Sequence, residues 1–137
     1  MARWLFKTEP THYSYSDLER NGKTVWDGVS NNLALKHLRG IQKGDEVFIY
    51  HSGDERQLVG IAKVTSNPYP DPKEHDPKLV VVDIKPQTHL KRPVPLAEIK
   101  TDKTLKTFDL VRISRLSVMP VSEEQWKRLM EKAGKQG

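Results

Sequence analysis

The chain has 137 residues, 36% hydrophobic and 30% charged, with no cysteine and a formal net charge of +5. That length buries one core without covalent staples, and the composition is that of a folded chain, slightly polar, rather than a disordered one. Without cysteine there is no disulfide framework, thiolate zinc site or cysteine nucleophile, and the excess of basic residues tilts the choice of partner towards polyanions without deciding it. No apolar run approaches a membrane span, and WLF at 4–6 is too short for a secretory signal. A reducing, cytoplasmic setting and a monomer are expected.

The predicted elements begin with a strand at RWLFK (3–7), closed by Glu9-Pro10. In YSYSDLERNG, Ser16 is placed to cap a short helix ending near Gly22. WDGVSNN (26–32) follows, read as an elbow at Trp26-Asp27-Gly28 leading into a helix with Ala34, Leu35, Leu38 and Ile41 at helical spacing. Ser30, Asn31 or Asn32 caps its start and Gly40 suits its end. KGDEVFIYHS turns at Gly44-Asp45 and then alternates, with Val47, Ile49 and His51 on one side and Phe48, Tyr50 and Ser52 on the other. Both sides carry apolar groups, as in a barrel or a doubly covered strand.

LVGIAKV (58–64) reads as a strand paired with the preceding one, and SNPYPDPKEHDPK, holding four of the nine prolines, as an irregular surface excursion. KLVVVDIKPQTHL is the longest predicted strand, with Val80, Val82 and Ile84 on one face. Short helical turns are expected at LAEIK (96–100) and over 105–111, and a short strand in RISRLSVMP stopped by Pro120. SEEQWKRLMEKAG closes the chain as a helix, with a Ser122–Gln125 capping box and an apolar stripe of Trp126, Leu129, Met130 and Ala133. No repeat or linker divides residues 1–137, so a single α+β domain is predicted, strands at its centre and helices at its edges.

The motifs of common catalytic and cofactor sites are missing. The five histidines, at 12, 37, 51, 75 and 89, show no ligand-like pairing, and no glycine-rich phosphate loop or nucleophile elbow is present. DPKEHD (71–76) is rich in carboxylates but reads as a solvated, proline-bounded loop, and the neighbours His51, Ser52 and Asp54 are adjacent in sequence without implying a triad. No catalytic residue, metal or cofactor is expected.

WLFKTEP (4–10), YSYSDL (13–18), WDGVSN (26–31), GDEVFIYHS (44–52), VGIAKV (59–64), YPDP (69–72) and RISRLSV (112–118) stand in order along nearly the whole chain. Together they resemble the EVE domain family of the PUA-like superfamily. The resemblance implies a strongly bent β-barrel with helices over its ends. It also implies a non-catalytic module that binds DNA or RNA and admits one base, modified or not, into a pocket. Such a pocket must offset an unstacking cost of a few kcal/mol, and stacking on an aromatic ring contributes about 1–3 kcal/mol.

By that resemblance Trp26, Asp27, Asn31, Tyr50, His51 and Ser52 line the pocket. Trp26 and Tyr50 would supply its walls, Asn31 and Ser52 would read the base edge, and His51 would add a hydrogen bond. Lys7 and Arg115 would hold phosphate or a base carbonyl, with Glu9 and Ser117 beside them. Each has a plainer role open to it: Trp26 and Tyr50 as core, Asn31 as a helix cap, Lys7 paired with Glu9, Arg115 bridged to Glu123. Trp126, on its helix stripe, is assigned to the core. The family usually carries Arg where this chain has Ser30, which leaves Lys36 or Arg39 to substitute. Two other functions stay open: an enzyme on nucleotide or nucleic-acid substrates using His51 with Asp54 or Glu9, and a protein-interaction module with a basic surface.

Overall fold

A computed structural model describes residues 1–134. Its organising strand is β1 (Arg3–Thr8), parallel to β3 (Glu46–His51) and antiparallel to β7 (Val118–Pro120). β4 (Gln57–Val64) joins β3 to the sixteen-residue β6 (Val80–Pro95), which also pairs with β2 (Thr24–Trp26) and with the two-residue β5 (Tyr69–Pro70). The sheet order is β2-β6-β4-β3-β1-β7. Register shifts at Ile49/Tyr50, Leu58/Gly60 and Ile61/Ala62 bend the strands. The sheet curls until Phe6 of β1 and Trp26 of β2 stack at 5.2 Å, although β6, β4 and β3 lie between their strands. This is the bent α+β barrel that the family resemblance implies.

Alternation along the strands then fixes two faces. Trp4, Phe6 and Thr8 share the inner face with their partners Val47, Ile49 and His51. The helices α1 (Tyr15–Asn21) and α2 (Asn32–Arg39) cover it, Tyr15 meeting His51 and His37 lying 6.3 Å from the Trp4 ring. Leu5 and Lys7 point outward with Phe48 and Tyr50. There α5 (Glu123–Lys132) lays Trp126 on Phe48 at 3.9 Å, with the Arg3 guanidinium over the indole. Both faces of β3 are therefore buried, as its double apolar pattern foretells. α3 (Leu96–Lys100), a 3-10 turn at Lys103–Leu105 and α4 (Asp109–Arg112) lead from β6 to β7.

Several boundaries depart from the sequence reading. Ser14, not Ser16, caps α1: its hydroxyl accepts from Asp17 N–H and the Asp17 carboxylate accepts from Ser14 N–H, a reciprocal box. Trp26 belongs to a strand and not to the elbow; the turn follows it, at Gly28 with φ +76. Asn31 is the α2 cap among the three candidates, accepting from Ala34 N–H at 3.0 Å. β6 continues past Leu90 to Pro95, and Pro86 enters it where the pairing with β4 is irregular. The strand in RISRLSVMP shrinks to Val118–Pro120, the preceding stretch being held in a turn by Leu116 N–H on Ile113 O. At the C-terminal helix the Ser122–Gln125 box forms as read, with Trp126, Leu129 and Ala133 buried.

Candidate functional site

A cleft of about 180 Å³ opens beside Trp26, lined by Thr8, Tyr13, Thr24, Val25, Trp26 and Asp27. It lies well below the ~300–1,000 Å³ that houses a drug-sized ligand. Its floor is built by the curl of the sheet. Thr8 ends β1, and its hydroxyl donates to the Tyr13 carbonyl at 2.6 Å, drawing the loop before α1 across the strand end. The Tyr13 hydroxyl in turn accepts from the Asn21 side chain at 2.9 Å.

Trp26 is 9% exposed, so it is not the open platform that a base-stacking role implies. One face rests on Phe6 with the planes 30° apart, and Tyr13 meets it edge-on at 6.2 Å and 79°. Yet the indole N–H is not sealed. Among the described residues nothing accepts from it, and it is not one of the enclosed polar atoms left without a partner. The Trp4 indole differs, donating to the buried Asp45 carboxylate at 2.9 Å. Trp26 is thus both a core residue and a wall of the cleft.

Asp27 stands exposed at the rim, with Lys73 Nζ 3.8 Å from its Oδ2. Lys73 arrives on the proline-rich loop, whose carboxylates serve the backbone: Asp71 accepts from Lys73 N–H and Asp76 from Lys78 N–H, each at 2.9 Å. Among the described residues no three His, Asp or Glu side chains gather as a metal site. Tyr69 anchors the loop with a 2.5 Å bond to Asp83, which raises its phenol to about 12. Arg39 of α2 ties down the far end through the Lys78 carbonyl at 3.0 Å, which engages one of the two cations that could stand in for the missing Arg at position 30; Ser30 and Lys36 are both exposed. Asn31 is exposed and occupied with its cap.

Tyr50 lies elsewhere. It pairs with Lys7, on the outer face, whereas Trp26 contacts Phe6 on the inner one. The two rings are separated by the sheet and are not walls of one pocket. Strand parity is the reason: Lys7 and Tyr50 are cross-strand partners, one residue out of phase with Phe6 and Thr8. Around Tyr50, which is buried, the Lys7 ammonium sits 5.8 Å from the ring centroid and donates to Ser114 O at 2.7 Å. Ser117 contributes its carbonyl, accepting from Lys7 N–H at 2.9 Å. Burial lowers the Lys7 pKa and raises that of Tyr50, the latter opposed by the Arg56 charge.

His51 faces inward and both of its ring nitrogens are engaged. Nε2 accepts from Tyr15 N–H at 3.0 Å, which leaves Nδ1 to donate to Glu55 at 2.8 Å. It has no hydrogen bond left for a guest. The Ser52 N–H is held by Thr8 O. Glu9 accepts from both the N–H and the hydroxyl of Thr11 and makes no ion pair with Lys7. Arg115 is exposed, and no ion pair joins it to Glu123. Of the ten residues nominated from the sequence, the cleft therefore brings together Trp26 and Asp27. It adds Thr8, Tyr13, Thr24 and Val25, of which Tyr13 stands in the YSYSDL motif, read there only for its helix cap.

Residues 2–132 match the profile of the EVE domain. The chain belongs to the EVE domain family. Human thymocyte nuclear protein 1 is 33% identical over 91% of this EVE domain and 71% of its own length. A solved Rhodopseudomonas palustris protein superposes with a TM-score of 0.94 at 39% identity, covering all of the domain and 96% of that chain. Human THYN1, solved in complex with DNA containing 5-methylcytosine, is 29% identical with a TM-score of 0.89 over the full length of both chains.

Proposed function

We propose that this EVE domain is a non-catalytic DNA-binding module that admits one base, 5-methylcytosine among them, into the cleft beside Trp26. The observation that carries the reading is a small cleft with two polar groups on adjacent residues, the Trp26 indole N–H, which has no acceptor among the described residues, and the Asp27 carboxylate, whose one partner among them is the Lys73 ammonium at 3.8 Å. The exocyclic amine of cytosine is a donor that a carboxylate accepts, and its ring nitrogen and carbonyl accept from an N–H. Val25, 41% exposed at the same rim, offers methyl groups to a 5-methyl substituent. The relative that holds methylated DNA supports the ligand class. With Trp26 largely buried against Phe6, the half-buried Tyr13, nearly perpendicular to it, is the ring on which an entering base stacks.

The internal bonds of His51 argue against the enzyme reading, since an acid–base role needs a nitrogen that is free to exchange a proton with substrate. The test is a panel of short single- and double-stranded DNA and RNA oligonucleotides with and without 5-methylcytosine, against the parent, Trp26→Phe and Asp27→Ala. Tighter binding of the methylated DNA, weakened about tenfold by either substitution and falling steeply with salt, is expected. Equal affinity for every oligonucleotide, unaltered in both variants, would overturn the proposal.

A further inference from the structure

We propose that Lys63 and Lys85 hold the phosphates of a DNA strand that crosses the outer face of the sheet beside the cleft; the strand as ligand rests on the proposed function. Lys63 of β4 and Lys85 of β6 are direct cross-strand partners, which sets their Cβ atoms about 4.5–5.5 Å apart on one face. That face is the outer one. A single row of partners, Arg3, Glu46, Lys63 and Lys85, runs across four strands, and the two lysines alternate with the buried Ala62, Val64 and Ile84. Lys85 is exposed and Lys63 half-buried. Like charges directly opposite each other destabilise a sheet, so the fold itself gains nothing from this pair.

Among the described residues neither ammonium has a carboxylate within ion-pair distance. Glu46 is the partner of Lys63 in β3, yet its carboxylate accepts from Arg3 Nε at 3.3 Å and from Gln87 Nε2 at 3.0 Å. Gln87 is the extra residue where β6 slips against β4, between the pairs Ile61/Thr88 and Ala62/Pro86, and its amide reaches across β4 to Glu46. Asp83, two residues before Lys85 on the same side, accepts from the Tyr69 hydroxyl at 2.5 Å. Both carboxylates are thus committed to other donors.

The lysine pair adjoins the cleft. Asp83 is the partner of Val25, which lines the cleft and is exposed at its rim, and Lys85 lies about 7 Å further along β6. Beyond the opposite end of β2, Lys73 stands 3.8 Å from Asp27. A strand whose base enters the cleft therefore meets lysine on both sides. Lysine acts on phosphate as a point charge on a flexible stem, which suits successive phosphodiesters and carries no sequence information.

The experiment compares the parent protein with Lys63→Gln, Lys85→Gln and the double variant. One arm measures the salt dependence of binding to a short single-stranded oligothymidylate, and the other the affinities for matched oligonucleotides with cytosine or 5-methylcytosine. Each single substitution is expected to lower the log–log salt slope by about 0.7, and the double by about twice that. Affinity for the methylated and unmethylated strands should fall by the same factor, since phosphate contacts do not read the base. At low salt each single variant should melt no lower than the parent, because the substitution relieves a repulsion. An unchanged slope in the double variant would overturn the proposal, and so would affinity lost for the methylated strand alone. Failure of the cleft reading looks different: the parent then binds both strands alike, while the slope still falls in the lysine variants. No binding of any strand by the parent would overturn both.

Discussion

The Phe6 and Trp26 rings stack at 5.2 Å and join the two strands that bring the curled sheet together. Removing the indole therefore opens the barrel as well as the cleft. Trp26→Ala is expected to lower stability by about 3–5 kcal/mol, as large-to-small changes at buried aromatics do, whereas Trp26→Phe keeps most of the stack. Urea titrations of the two variants check this. An alanine variant as stable as the parent would mean that Trp26 belongs to the cleft alone and that the curl closes without it.

His51 ties the start of α1 to the end of β3. Its Nε2 is the acceptor for the Tyr15 N–H, at the first residue of a helix where no intrahelical carbonyl is available. His51→Leu leaves that buried N–H without a partner, at a cost of about 1–3 kcal/mol. Faster hydrogen exchange of the Tyr15 amide, out of proportion to that of β4, would trace the loss to this bond. Exchange raised evenly through the sheet would instead mark His51 as ordinary core.

How much of this was legible in the sequence depends on which interactions are local. The Ser122–Gln125 box and the α5 stripe involve residues a few positions apart, and they read correctly. So did the double apolar pattern of β3, which is a property of one strand. Trp26 and Tyr50 could not be placed relative to each other in this way. Parity within a strand says which residues share a face, but only the pairing of β1 with β3 and the curl that brings β2 to β1 show that these rings lie on opposite sides. Tyr13 escaped notice for a similar reason. It enters the cleft because the Thr8 hydroxyl holds its carbonyl, a contact that periodicity cannot signal.

Gly60 shows where local pattern does carry tertiary information. A glycine inside an apolar strand marks a close approach, and here the approaching group is the Tyr15 ring, 2.5 Å from where a Cβ would stand. Tyr15 is pinned there, its hydroxyl donating to Ile61 O at 2.7 Å. Gly60→Ala is expected to destabilise by about 1–3 kcal/mol through overpacking. The double variant with Tyr15→Ala should cost less than the sum of the single changes, because the clash goes with the ring. Strict additivity in denaturant titrations would place the strain elsewhere.

The acid limb of stability should belong largely to Asp102. Its carboxylate accepts from Thr104 N–H and hydroxyl, from Arg128 Nε at 2.6 Å and from Lys132 Nζ at 3.0 Å, joining α5 to the turn after α3. The Thr104 hydroxyl, then the Arg128 and Lys132 donors, hold its pKa well below the ordinary 3.8. The native state thus favours the ionised form more than the unfolded chain does. The resulting stabilisation is complete above pH values near 4 and is lost as the pH falls from there towards the depressed native value. Asp102→Asn should lower the urea midpoint at neutral pH and flatten its decline over that acid range, while Glu98→Gln, at a more exposed pair with Arg92, should move it less. Parallel midpoint-against-pH curves for the parent and Asp102→Asn would show that another carboxylate governs the acid transition.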